Sequence, residues 1–535
     1  MTQNSSGFFG EKKEFSLSPD PSSVQMPVCD KIITSELSGD FVLPDYMPEI
    51  RRLIRVTPRV HPASKYVAPG IAEFAGSVGY DLLYTDPDGL LRATSLATDY
   101  EIECPIEGAG VELRGNCVFI DSELESLSCR PVGPRKVIIK SKLRSRVRAF
   151  ADIELSEEVE GVESAEDAFS IERLGVTYPS VRIERSASDE LTVSEEVALD
   201  QSDARPVYAE GTVYVADAGA VDGGVALRAE AVIRCVLEGA DGGLYTLVRR
   251  LPFSETISFE GVERGCDCRA WGSIGTINLS VEKPEEDARA TLYIEAMAKL
   301  EAEVKRRIEA SVVVDAFSSI YESECEYRSH EIVRSIKTQM GNLSVGHSLP
   351  LSEAGVDALC HVIDAGGTVK FESVDISHGR YLLRGICSVA LLLSGEETES
   401  AEFDIPFKYE LDGEAAEECL FDCNGDVISM RARIEGENLA VDAELSIAAS
   451  LYAKSEVRSV GSVRLDRSAS YGEEKSGSHV VVCYPQKGES LWDVAKRYHI
   501  SPKRIARSSG FEDIAASELT SAAHSLGIEH IIIEK

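Results

Sequence analysis

The sequence lacks the signatures of most enzyme and metalloprotein classes. No Cys-x-x-Cys pair and no Cys/His cluster has zinc spacing. Gly239-Ala240-Asp241-Gly242-Gly243 and Gly272-Ser273-Ile274-Gly275 lack the Gly-Lys-Ser/Thr that cradles a nucleotide phosphate, and read as turn or strand glycines. His-Glu-x-x-His and Gly-x-Ser-x-Gly are both absent. The nine histidines are dispersed; His479, His499 and His524 read as surface residues. Acidic pairs such as Glu157-Glu158, Glu285-Glu286 and Glu396-Glu397 read as solvated loop charge. No catalytic residue, metal or cofactor is therefore expected.

Long apolar runs are also missing. None approaches the roughly 18 residues of a membrane span. Met1 to Phe15 shows no apolar stretch behind basic residues, so no secretory signal is expected and the chain reads as cytosolic. Basic charge is scarce: 55 Lys and Arg against 91 Asp and Glu give a net charge of −36. Residues 479–535 are neutral, so the rest carries all of it. Nucleic acid and anionic membrane surfaces are then unexpected partners, for want of a basic surface. The thirteen cysteines are scattered, and a cytosolic chain keeps them reduced.

What is present is length, apolar alternation and repetition. A chain of 535 residues suggests three to five domains. Residues 1–28, rich in Ser, Pro and Gly, read as a disordered tail. In Leu292 to Val304 every second residue is apolar; Leu439 to Leu451 repeats the pattern, and Leu143 to Ala149 carries a shorter copy. Period two marks a half-buried strand, and three copies outweigh the helix propensity of Ala, Glu and Lys in Leu292 to Val304. Upstream of each run lies a strand–turn–strand block. The blocks are Gly76 to Tyr100, Ala231 to Phe253 and Gly385 to Phe407. Pro252 and Pro406 are expected to end their strands. The copies predict three tandem all-β domains, 29–160, 165–318 and 319–462, with a linker over 463–478.

The hairpins ending in Leu251-Pro252-Phe253 and Ile405-Pro406-Phe407, with the opening Leu43-Pro44-Asp45-Tyr46-Met47-Pro48-Glu49-Ile50, resemble the SPOCS domain of clostridial spore-coat proteins.

The last stretch, 479–535, has its own signature. A short apolar strand ends at Tyr484, Lys487-Gly488 turns, and Ser490 caps a helix whose Leu491, Val494, Ala495 and Tyr498 share one face. Ser501-Pro502 opens a second helix, and Ile531 to Ile533 reads as a closing strand. Gly488-Glu489-Ser490-Leu491-Trp492 resembles the turn and helix start of the LysM domain, which implies a small βααβ fold. Ser508-Ser509-Gly510 replaces the Asn usual in that family. SPOCS-like repeats before a LysM-like unit resemble the SipL-like family of spore-coat morphogenesis proteins. The resemblance implies a non-enzymatic scaffold of sporulation, working in the mother-cell cytoplasm at the forespore surface. It also implies a partner, the spore-coat basement ATPase, held by the LysM-like unit; the alternative is a peptidoglycan (N-acetylglucosamine polymer)-binding protein. The docking face is expected at Val480, Lys487, Gly488, Ser490, Leu491, Trp492 and Lys496. Trp492 reads equally as core or as an interface anchor. Lys496, Arg497, Lys503, Arg504 and Arg507 would supply a basic side.

Overall fold

The computed structural model describes residues 14–16, 23–106, 113–199, 204–282, 289–415, 417–471, 480–510, 523 and 528–534. The chain is mainly β, in small antiparallel sheets. A short strand, β1 (Glu14–Ser16), precedes a first repeat of β2 (Ser23–Val42), β3 (Arg52–Val60), β4 (Ser64–Ala68), β5 (Ile71–Thr85), β6 (Leu91–Pro105), β7 (Val118–Gly133) and β8 (Lys136–Glu154). Then β9 (Glu158–Glu160) and α1 (Ala165–Phe169) lead to the second repeat. It holds β10 (Ile171–Ala187), β11 (Leu191–Ala198), β12 (Arg205–Val221), β13 (Gly224–Glu238), β14 (Leu244–Ser258), β15 (Asp267–Glu282) and β16 (Thr291–Ser318). The third comprises β17 (Tyr321–Pro350), α2 (Leu351–Ala354), β18 (His361–Ser377), β19 (Arg380–Ser394), β20 (Thr398–Glu410), β21 (Leu420–Glu435) and β22 (Asn438–Ser470). A C-terminal unit follows: β23 (Val480–Cys483), α3 (Leu491–Tyr498), α4 (Pro502–Ser509) and β24 (Ile531–Glu534).

Each repeat is built the same way. Its last long strand lies between its first strand and its penultimate one: β2-β8-β7, β10-β16-β15 and β17-β22-β21. A second sheet, around the hairpin, packs against this one: β3-β5-β6, β12-β13-β14 and β18-β19-β20. Each pair of sheets encloses one apolar cluster fed by the alternating run, as a sandwich requires. In the first, Cys29 and Cys104 bring their sulfurs within 3.6 Å between the sheets.

Three expectations need correction. The tail ends sooner than residue 28: from Ser23 the chain is strand, and Val24 and Gln25 are buried. Gln25 behaves like a backbone unit across repeats, donating to the Ile183 carbonyl at 3.0 Å and accepting the Ile183 N–H at 2.7 Å. Residues 14–16 also pair, with 175–177. Other parts of the expected tail lie outside the described residues. The linker begins later than 463, because β22 runs to Ser470 against β17, with Val463 and Leu465 buried. Ser468 and Ser470 occupy that strand, and residues 472–478 lie outside the described residues. Finally, β14 and β20 pass through Pro252 and Pro406. Both are edge strands, paired on one side only, so the missing N–H breaks no ladder.

The repeats also meet face to face at equivalent positions. Each hairpin sheet carries a bulge followed by one residue: Arg55 opposite Leu83, Tyr208 opposite Val236 and Asp364 opposite Leu392. Leu83, Val236 and Leu392 pack into one cluster. Arg55 donates to the Tyr208 hydroxyl at 3.3 Å, and that hydroxyl to Asp364 at 3.1 Å. Three copies of one position have thus diverged into a cation, a phenol and an anion that satisfy each other. The equivalent pairs in the long sheets are Phe119–Arg148, Arg269–Glu303 and Asp422–Ser450. They too converge. The Asp422 carboxylate accepts from Arg269 at 2.6 Å, from Arg148 at 2.7 Å and from Arg185. Glu303 takes Arg269 through two bonds, at 3.0 and 2.9 Å, and Arg185 at 2.8 Å. Asp121 closes the network on Arg185 and Arg148. Burial alone would raise the carboxyls of Glu303 and Asp422; the guanidiniums overcome it and hold both below the usual range.

Candidate protein-docking site

The C-terminal unit folds for local reasons. Gly488 turns at φ +88°, where a Cβ would be strained. Ser490 accepts the Asp493 N–H at 3.1 Å while its own N–H donates to the Asp493 carboxylate at 2.9 Å, closing a capping box on α3. Lys496 and Arg497 stand in the last turn, where the helix dipole favours cations. Leu491, Val494 and Ala495 bury against Ile505, Ile531 and Ile533. β23 and β24 pair antiparallel, Val480 opposite Glu534. Ser509 locks α4 to β24, donating to the Ile532 carbonyl at 3.1 Å and accepting its N–H at 2.9 Å.

The seven expected docking residues do not share one face. Val480, at 58% exposure, Lys487 and Gly488 face solvent, beside exposed Val482 and Tyr484. Ser490 and Leu491 are buried as cap and core. Trp492, only 3% exposed, and Lys496 meet the chain's own β-body. The Trp492 ring stands edge-on to Phe317, centroids 5.1 Å apart. Its Nε1 donates to Asp315 Oδ2 at 2.8 Å, and Lys496 Nζ donates to both Asp315 oxygens at 2.7 and 2.8 Å. Tyr327 donates to the same carboxylate at 3.1 Å; burial, with Asp315 beside it, pushes that phenol up to about 12. Leu174 and Phe317 join the core of the C-terminal unit, and the Tyr471 ring stacks on His499. Trp492 is therefore both core and anchor, and what it anchors to is β16. The basic side is divided likewise: Lys496 is engaged, Arg497 pairs Glu489 at 2.8 Å, and Lys503, Arg504 and Arg507 are exposed.

Asp315 and Phe317 were not singled out in the sequence. A signal was present: from Ala310 the alternation of β16 gives way to Val312-Val313, Ala316-Phe317, buried on both faces. A strand covered on both faces needs a second neighbour.

A separate feature lies where the repeats converge. A cavity of about 210 Å³ is bordered by the equivalent segments 57–59, 210–212 and 366–368. Asp426 of β21 faces it; burial pushes its carboxyl up to about 6, against a hydrogen bond with Thr212 that lowers it. A carboxyl raised in the folded state favours folding fully below about pH 4, and that contribution is lost as pH rises through 6. Asp426→Asn is therefore expected to stabilise the chain at pH 7.5, by up to about 3 kcal/mol, and to change little at pH 4. Urea unfolding at both values checks this; an equal effect at both would contradict it.

Among the described residues no group of three or more His, Cys, Asp or Glu could hold a metal ion, and no helix is long and apolar enough to cross a membrane. No family model, curated protein or solved structure matches the chain.

Proposed function

We propose that the chain is a non-enzymatic scaffold of spore-coat assembly, of the SPOCS-repeat type, whose LysM-like C-terminal unit docks the coat-basement ATPase. Its place is the mother-cell cytoplasm, at the forespore surface. The observation that carries this reading is the division of labour along the chain. Three equivalent sandwiches interlock through buried charge, which suits a rigid platform. A small capped unit at its edge presents Val480, Val482, Tyr484 and Lys487 outward, an apolar strip with a cationic rim. The strip suits a protein surface, and Lys487 an acidic one.

Lys487→Glu tests the docking reading without disturbing the fold, because the side chain is exposed at a turn. Capture of the ATPase by the full chain is expected to weaken about three- to tenfold at low salt and less at physiological salt, with unchanged melting. Wild-type capture at both salts would remove Lys487 from the interface. Retention of the full chain on insoluble peptidoglycan, competed by chitin oligomers, would favour the glycan-binding alternative instead.

A further inference from the structure

The contact between α3 and β16 shows what chemistry the Trp492–Lys496 face accepts. β16 offers it an extended segment, Val314-Asp315-Ala316-Phe317. The carboxylate of Asp315 takes the indole N–H and the ammonium together, at 2.8 and 2.7 Å. Two residues on, on the same side of the strand, Phe317 sets its ring against the Trp492 ring. Recognition by α3 is thus an anion taken by two of its donors, beside the Tyr327 hydroxyl of the β-body itself, with an aromatic at the next same-face position. From the β-body, the apolar core of the C-terminal unit receives Leu174 and Phe317, with Val314 packed beside them. Covalent connection keeps the cis segment at high local concentration.

We propose that the Trp492–Lys496 face is a reader of extended acidic-aromatic segments, Asp-x-Phe in kind, and that β16 occupies it in cis until a partner's segment of that chemistry displaces it. This rests on the docking reading and adds regulation to it: the outward strip makes first contact, and the closed face is released second. Asp315 is the latch.

The test uses the full chain. Asp315→Ala is expected to raise amide exchange about tenfold or more in α3 and at Val312 to Phe317, leaving β8 and β19 unchanged. Asp315→Lys should do the same, and combining it with Lys496→Asp should restore slow exchange, which loss of packing alone would not reverse. A labelled peptide Val-Val-Val-Asp-Ala-Phe-Ser should then bind the Asp315→Ala chain at least about tenfold more tightly than wild type. Replacing the peptide's Asp by Asn should abolish the difference. Unchanged exchange in Asp315→Ala, or equal peptide binding to both chains, would overturn the latch. Capture of the ATPase reports separately: exchange and peptide results as expected, with no capture, would sink the docking reading alone.

Discussion

Arg269→Ala is expected to lower the stability of the whole β-body by about 3–5 kcal/mol, the cost of removing one partner from a buried charge network. Arg269 is fully buried, with Glu303 3% exposed beside it. Three guanidiniums there face three carboxylates, from Asp121, Glu303 and Asp422. Losing Arg269 leaves Glu303, 3% exposed, and Asp422, 12% exposed, short of a cation. Glu303 belongs to the second repeat, Asp422 to the third and Arg148 to the first, so the damage reaches all three. The control is Arg433→Ala, whose pair with Asp442 has both side chains 60% exposed; it should cost under about 1 kcal/mol. Urea unfolding of the full chain measures both, and equal costs would sink the claim. Acid should reveal the same network. Because Glu303 and Asp422 titrate low when folded, their contribution is complete above about pH 4.5 and fades only as pH falls through their depressed range.

The second large effect is expected at Trp492. Trp492→Ala removes a ring from the core of the C-terminal unit and an indole donor from Asp315. Large-to-small changes of this kind cost about 3–5 kcal/mol. A unit of roughly 55 residues has little more than that to lose. It should therefore unfold, while the β-body, with its own three cores, keeps its transition. Amide exchange separates the two: α3, β23 and β24 should lose protection, and β8, β13 and β19 should keep it. Protection retained in α3 would show that Trp492 is peripheral. Trp492→Phe keeps much of the packing and should cost far less, so the pair of variants distinguishes lost volume from lost hydrogen bond.

Much of the fold was legible because alternation is local. The apolar residues Leu292 to Val304 and Leu439 to Leu451 sit on one face of β16 and β22, all of them buried as period two requires. The hairpin turns at Asp86 and Gly239 close where the glycines stand. What could not be read was the use of the other face. Arg148 continues the Arg144, Arg146 series and looks like solvated charge, yet it is buried. Of its partners, Asp121 stands on the neighbouring strand β7, but Asp422 is 274 residues away, and nothing local marks that pairing. Composition also misled where it mimicked a loop: the Ser-rich ends of β2 and β22 are strands because they bury Val24, Val463 and Leu465 between repeats. At the candidate docking site the turn, cap and helix of α3 followed from the residues. That Trp492 and Lys496 were already engaged did not, since Asp315 and Phe317 are more than 170 residues away.

The most direct test compares the full chain with one ending at Tyr471 in a crosslinking pull-down from sporulating cells. The shorter chain keeps the described β-body, through Ser470 of β22, and loses only the C-terminal unit and its connection. The full chain is expected to retain the coat-basement ATPase and the shortened chain to retain none. Equal retention by both would contradict docking through the C-terminal unit and move the interface to the three sandwiches.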